Sequence, residues 1–178
     1  MVSYLYQAPS GVAGDITRVD DSNVEPVMLV APYASNFGVA MKYAANVGPA
    51  PTPIGEGVTP MVAADVAASF CGILARAVPG ISGSSANEVV DQFTPNPAEP
   101  NGLCVRGYIN VIVNAGTPVR GQPVYIVQTA SAGHPAGAFE VGANGGNNIP
   151  LSGTLVGNVT WAADGVDSFG NAEVRIAQ

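Results

Sequence analysis

Glycine and proline punctuate this sequence so densely that no long helix can run through it. The chain carries 22 glycines and 15 prolines, and turn-forming clusters recur at roughly ten-residue intervals, the spacing of a β-sandwich or barrel. That composition by itself also fits disordered chains. Here, however, 47% of the residues are hydrophobic and only 11% are charged, the reverse of the balance that keeps a chain unfolded. The glycines and prolines therefore separate many short strands, and the fold expected is all-β.

Residues 1–25 read as an extended N-terminal arm and residues 26–178 as one β domain. In the arm, Tyr4 and Tyr6 alternate with Ser3 and Leu5, and Ser10-Gly11-Val12-Ala13-Gly14-Asp15 is a turn. Strands are expected at 27–30 and 39–43. The Gly/Pro-rich residues 46–60 read as a loop, and the alanine-rich residues 61–69 as either a short helix or irregular chain. A strand over 70–78 follows, then a long loop over 79–101. Residues 103–113 give the clearest strand. Leu103, Val105, Gly107, Ile109, Val111 and Val113 line one face, and Cys104, Arg106, Tyr108, Asn110 and Ile112 the other. After the turn Asn114-Ala115-Gly116-Thr117, residues 122–128 are expected to pair back as a hairpin. Further strands are expected at 136–141, 155–163 and 172–176.

Charge removes several function classes. The net charge is −7 with six Lys+Arg, and the arginines at 18, 76, 106, 120 and 175 are dispersed along the sequence. A nucleic-acid binder needs a basic stripe, so no direct nucleic-acid partner is expected, nor adhesion to an anionic membrane. No apolar run approaches the roughly 18 residues of a spanning helix, and the N-terminal residues lack the pattern of a secretion signal. So few charges leave a surface of small, neutral and apolar groups, as on chains that contact other chains.

Catalytic chemistry has little to stand on. The single histidine, His134, lies in Gly133-His134-Pro135 and reads as a turn residue rather than a general base. Cys71 and Cys104 read either as one disulfide or as two buried thiols on strands, the second being favoured. Two cysteines and one histidine supply no zinc site. The acids are dispersed, and the lone Trp161 reads as core. No enzyme activity, metal or cofactor is expected.

Several segments in order resemble a known family: Gln7-Ala8-Pro9-Ser10-Gly11-Val12-Ala13-Gly14-Asp15-Ile16-Thr17-Arg18, then Gly72-Ile73-Leu74-Ala75-Arg76, Val105-Arg106-Gly107-Tyr108-Ile109-Asn110-Val111, and Gly121-Gln122-Pro123-Val124-Tyr125-Ile126. Together they resemble the structural cement, or capsid decoration, proteins of tailed bacteriophages. The resemblance implies a jelly-roll-like antiparallel sandwich or barrel and a place on the capsid exterior of the virion, after synthesis in the host cytoplasm. It implies as partner a major capsid protein of HK97-type fold, whose subunits the chain would bridge, with homo-oligomerisation giving avidity. Tyr4, Tyr6, Asp15, Arg18, Arg76 and Arg106 are the candidate intersubunit contacts, arginine suiting bidentate pairing. The β architecture with Gly/Asn-rich loops also admits a carbohydrate-binding or adhesin-like module, and His134 with a distant serine and aspartate a small hydrolase.

Overall fold

The computed structural model describes residues 12–44, 57–62, 65–76, 94–153 and 157–177. Among the described residues eleven strands follow one another in sequence: β1 Asn23–Leu29, β2 Ala40–Tyr43, β3 Gly57–Pro60, β4 Phe70–Ala75, β5 Asn101–Ala115, β6 Val124–Val127, β7 Phe139–Val141, β8 Asn148–Pro150, β9 Ser152–Gly153, β10 Gly157–Trp161 and β11 Asn171–Ile176. Among the described residues the helical content is two single 3-10 turns, Val19–Asp21 and Ala67–Ser69. The all-β expectation holds.

β5 organises everything else. Its 15 residues span about 50 Å at the usual rise of a strand. Its first half closes a five-stranded ring: β5 pairs with β1, β1 with β3, β3 with β2, β2 with β4, and β4 again with β5. Its second half leaves that ring and starts another. There it pairs with β11 antiparallel and with β7 parallel. β11 leads to β10 and β7 leads to β6. The circuit closes where Trp161 N donates to Gln122 O at 2.9 Å and Gly121 N to Trp161 O at 2.8 Å, beside the bridge Pro123–Thr160. A barrel with no long free edge removes the unpaired backbone groups that an open sheet would present.

One continuous core fills both rings. β4 is buried at every position, as its unbroken apolar run Phe70-Cys71-Gly72-Ile73-Leu74-Ala75 requires. β5 contributes Leu103, Val105, Ile109 and Val111 from one alternating face, and β11 contributes Ala172, Val174 and Ile176. Trp161 is the largest fully buried side chain and sits in the core, as expected. Cys71 and Cys104 are buried and unbonded to each other. Burial pushes the Cys104 thiol up to about 12, against a weaker opposing effect of the Arg106 backbone, so little thiolate forms at neutral pH.

The structure departs from the sequence reading in specific places. β3 lies within the expected loop 46–60: Val58 pairs with both β1 and β2 and Thr59 with β2, and Pro60 closes the strand where its missing N–H is tolerated. Over 61–69 the described residues hold a 3-10 turn and no α-helix. Asp65 accepts from Val62 N at 2.7 Å and from Lys42 Nζ at 2.5 Å, which pins the segment as a turn against β2. The expected hairpin of 103–113 with 122–128 is absent, because β7 lies between β5 and β6. The intervening loop is drawn instead to the β10–β11 connection, where Gly165 N donates to Pro118 O. Two pairings, β1–β3 and β5–β7, are parallel in an otherwise antiparallel fold.

The expected arm over 1–25 divides in two. Residues 1–11, with Tyr4 and Tyr6, lie outside the described residues. Residues 12–25 run along β5: Gly14 N donates to Asn110 O at 2.8 Å, Asn110 N to Asp15 O at 3.0 Å, and Thr17 N to Tyr108 O at 3.1 Å. Ile16 bridges Ile109 and packs on the core, and β1 begins at Asn23.

Candidate functional site

The most distinctive surface feature is a cleft where the mixed face of β5 meets β11. Side chains two apart on a strand share a face, so Arg106 and Tyr108 project together from β5, and Glu173 and Arg175 together from β11. The register sets Arg175 opposite Tyr108 and Ile176 opposite Gly107. The cleft has a volume of about 420 Å³, and Asp21, Arg106, Gly107, Tyr108 and Arg175 are among its lining residues.

Arg18 joins this group from the segment preceding β1. Its guanidinium lies 3.9 Å from the centroid of the Tyr108 ring, and that of Arg175 lies 5.9 Å from the same ring, both within range of the aromatic quadrupole. Glu173 holds Arg18 with both oxygens, at 3.3 Å to Nε and 2.8 Å to Nη2, and accepts a further bond from Thr17 Oγ1 at 2.5 Å. Donating to the Glu173 carboxylate raises the Arg18 pKa above its ordinary value. Ser22 fixes the backbone beneath: its hydroxyl donates to Arg18 O at 2.7 Å and accepts from Tyr108 N at 3.1 Å.

The charges in the cleft are unevenly matched. Arg18 is paired with Glu173, Lys42 with Asp65, Arg76 with Asp15 and Arg120 with Asp164. Among the described residues, Arg106 and Arg175 have no carboxylate in ion-pair contact, and both are exposed. Two cations without an ion pair among the described residues thus line one cleft of a chain of net charge −7.

The structure brings together Arg18 and Arg106 of the sequence-derived contact residues. Asp15 and Arg76 sit apart from them, as a pair at 3.9 Å with the Arg76 side chain 13% exposed; Arg76 N donates to Gly14 O, so this pair braces the 12–17 segment against β4. Sequence reasoning missed Arg175, whose role appears only once β11 is placed beside β5.

It also missed a second polar cluster. Glu140 on β7 is 2% exposed. Its carboxylate bonds the His134 ring through Nδ1, and it accepts from Asn114 Nδ2 at 3.1 Å and from Asn148 Nδ2 at 3.1 Å. His134 itself closes a turn with Ser131, as expected of it. Each donor satisfies a buried acceptor that would be costly to leave unmade, so the cluster ties the 128–137 loop to β7 and β8.

Comparison with known proteins adds the following. A family model described as XM1 gp53 minor capsid protein matches residues 1–176. Among solved structures, a chain of the capsid of Myoviridae phage XM1 aligns with a TM-score of 0.63 and 16% identity, over 98% of this chain and 94% of that chain; at this identity the likeness concerns the fold. No curated protein sequence matches.

Proposed function

Because the chain belongs to the XM1 gp53 minor capsid protein family, and so is a structural protein associated with the phage capsid, we propose that it acts as a cement protein. In this reading it binds the outside of the assembled head and holds neighbouring major capsid subunits together. The observation that carries it is the family match over residues 1–176, essentially the whole chain.

The surface supports this reading. Large apolar side chains stand exposed at several points, among them Phe169 at 72%, Val19 at 73% and Ile112 at 54%. Such groups gain most when another chain covers them. A cement protein makes and breaks no covalent bond. It binds a lattice of subunits, and whatever binds the assembled state better than the free subunit stabilises assembly by mass action. A partner of HK97-type fold and a homo-oligomeric state belong to this proposal. Two engaged subunits per oligomer would raise avidity by about 10²–10⁴-fold over one contact.

The test is sedimentation of purified protein with shells assembled from major capsid protein and, separately, with unassembled subunits. Saturable recovery with shells and little with free subunits is expected. Equal recovery with both, or none with shells, contradicts the reading.

A further inference from the structure

We propose that the cleft between β5 and β11 is a carboxylate receptor that seats an acidic segment of the capsid partner. The inference rests on the cement reading for the identity of that partner, but the receptor chemistry comes from the cleft alone. Arg106 and Arg175 present two guanidiniums without an ion partner among the described residues, and the Tyr108 ring lines the same cleft with its centroid 5.9 Å from the Arg175 guanidinium. Arg18 shows the intended geometry within the chain itself: stacked on Tyr108, it holds the Glu173 carboxylate through two nitrogens. The planar, weakly hydrated guanidinium suits such two-point contact and loses little on leaving water. A cleft of about 420 Å³ falls within the range of ligand-sized sites, roughly 300–1,000 Å³.

The charge surroundings select a carboxylate over a nucleic-acid phosphate. Asp21 forms part of the wall, and the net charge is −7. A long polyanion reaching beyond the cleft would meet the net negative charge of the chain. One or two Asp or Glu side chains meet less of this repulsion than a long polyanion does, Asp21 being the one acid among the lining residues, beside Arg106 and Arg175.

Charge reversal at Arg106 and Arg175, singly and together, tests the inference on the full chain. Arg106→Ala is the milder companion, and Arg120→Glu, at a separate exposed ion pair, is the control. Thermal melting of each variant checks folding. Affinity for shells should fall at least tenfold for Arg106→Glu or Arg175→Glu and further for the double variant, while Arg120→Glu should stay within twofold. An acetylated tetraglutamate peptide at low salt should shift the amide resonances of Gly107 and Arg175, whereas a single-stranded oligothymidylate of equal charge should not. Shell affinity unchanged by the reversals, or equal shifts with the oligonucleotide, overturns the proposal. Should wild-type protein ignore shells while tetraglutamate still shifts those resonances, the cement reading falls and the carboxylate receptor stands.

Discussion

Replacing Trp161 with alanine will remove about 3–5 kcal/mol of stability, the range for large aromatic core truncations. Trp161 is 1% exposed and is the largest fully buried side chain. It also stands where the second ring closes, since its backbone exchanges both hydrogen bonds with Gly121 and Gln122. The truncation therefore leaves a cavity beside the hydrogen bonds that hold the 116–123 loop to β10. Against a typical domain stability of about 5–15 kcal/mol, roughly a fifth or more of the total is lost. Urea unfolding followed by circular dichroism measures it. The wild-type protein should also show blue-shifted tryptophan emission that moves red on unfolding, since this is its only tryptophan. A loss below about 1 kcal/mol, a surface-like value, would place Trp161 outside the core.

Gly107→Ala is the second large effect, and it acts on the cleft as well as on stability. Gly107 has φ +115°, and a Cβ added there would lie 2.5 Å from Ser22 Cα and 2.6 Å from Ser22 Cβ. Backbone in this region costs a non-glycine residue roughly 1–3 kcal/mol, and overpacking adds about 1–3 kcal/mol, so a loss of about 2–6 kcal/mol is expected. Ser22 must move, and Ser22 is the residue that ties Arg18 O to Tyr108 N. The variant should therefore also bind shells less well at temperatures where it is still folded. Gly121→Ala isolates backbone strain: φ there is +84° with nothing within 4 Å of the added carbon, and its loss should be the smaller. Equal losses at both positions would show that contact with Ser22 contributes nothing.

Local patterns in the sequence carried the strands but not their partners. The alternation along β5 was visible because one face is Leu, Val and Ile and the other is mixed, and period two follows from the pleat. The buried Trp161 and the buried cysteines that form no disulfide were legible for the same reason, being flanked by apolar strand residues. β3 was hidden because its two β-branched residues, Val58 and Thr59, sit between glycine and proline, and the strand forms through pairing on both sides. The hairpin expectation failed because a turn signal after β5 says nothing about the later β7 segment inserting beside it. Pairing between distant segments is set by the shared core, where burial overrides local preference.

The cleft illustrates the same limit. Arg106 and Tyr108 were already on one face of the β5 pattern, so half of it could be read from spacing. Arg18 and Arg175, at opposite ends of the chain, join them only through the register of β11 and the contacts of residues 17–22. In the sequence the arginines look scattered, and the cluster exists only in the fold. The buried Glu140 carried no local signal, since its neighbours Phe139 and Val141 mark a strand and an acid between them reads as solvent-facing.

The central claim is that this protein holds an assembled shell together and does so by binding alone. Thermal disruption of phage shells, followed by light scattering with and without saturating protein, tests it most directly. A ligand present at 100 times its Kd adds about 2.7 kcal/mol per site, so decorated shells should come apart at a clearly higher temperature than bare ones. Identical disruption temperatures at confirmed full occupancy would contradict the account.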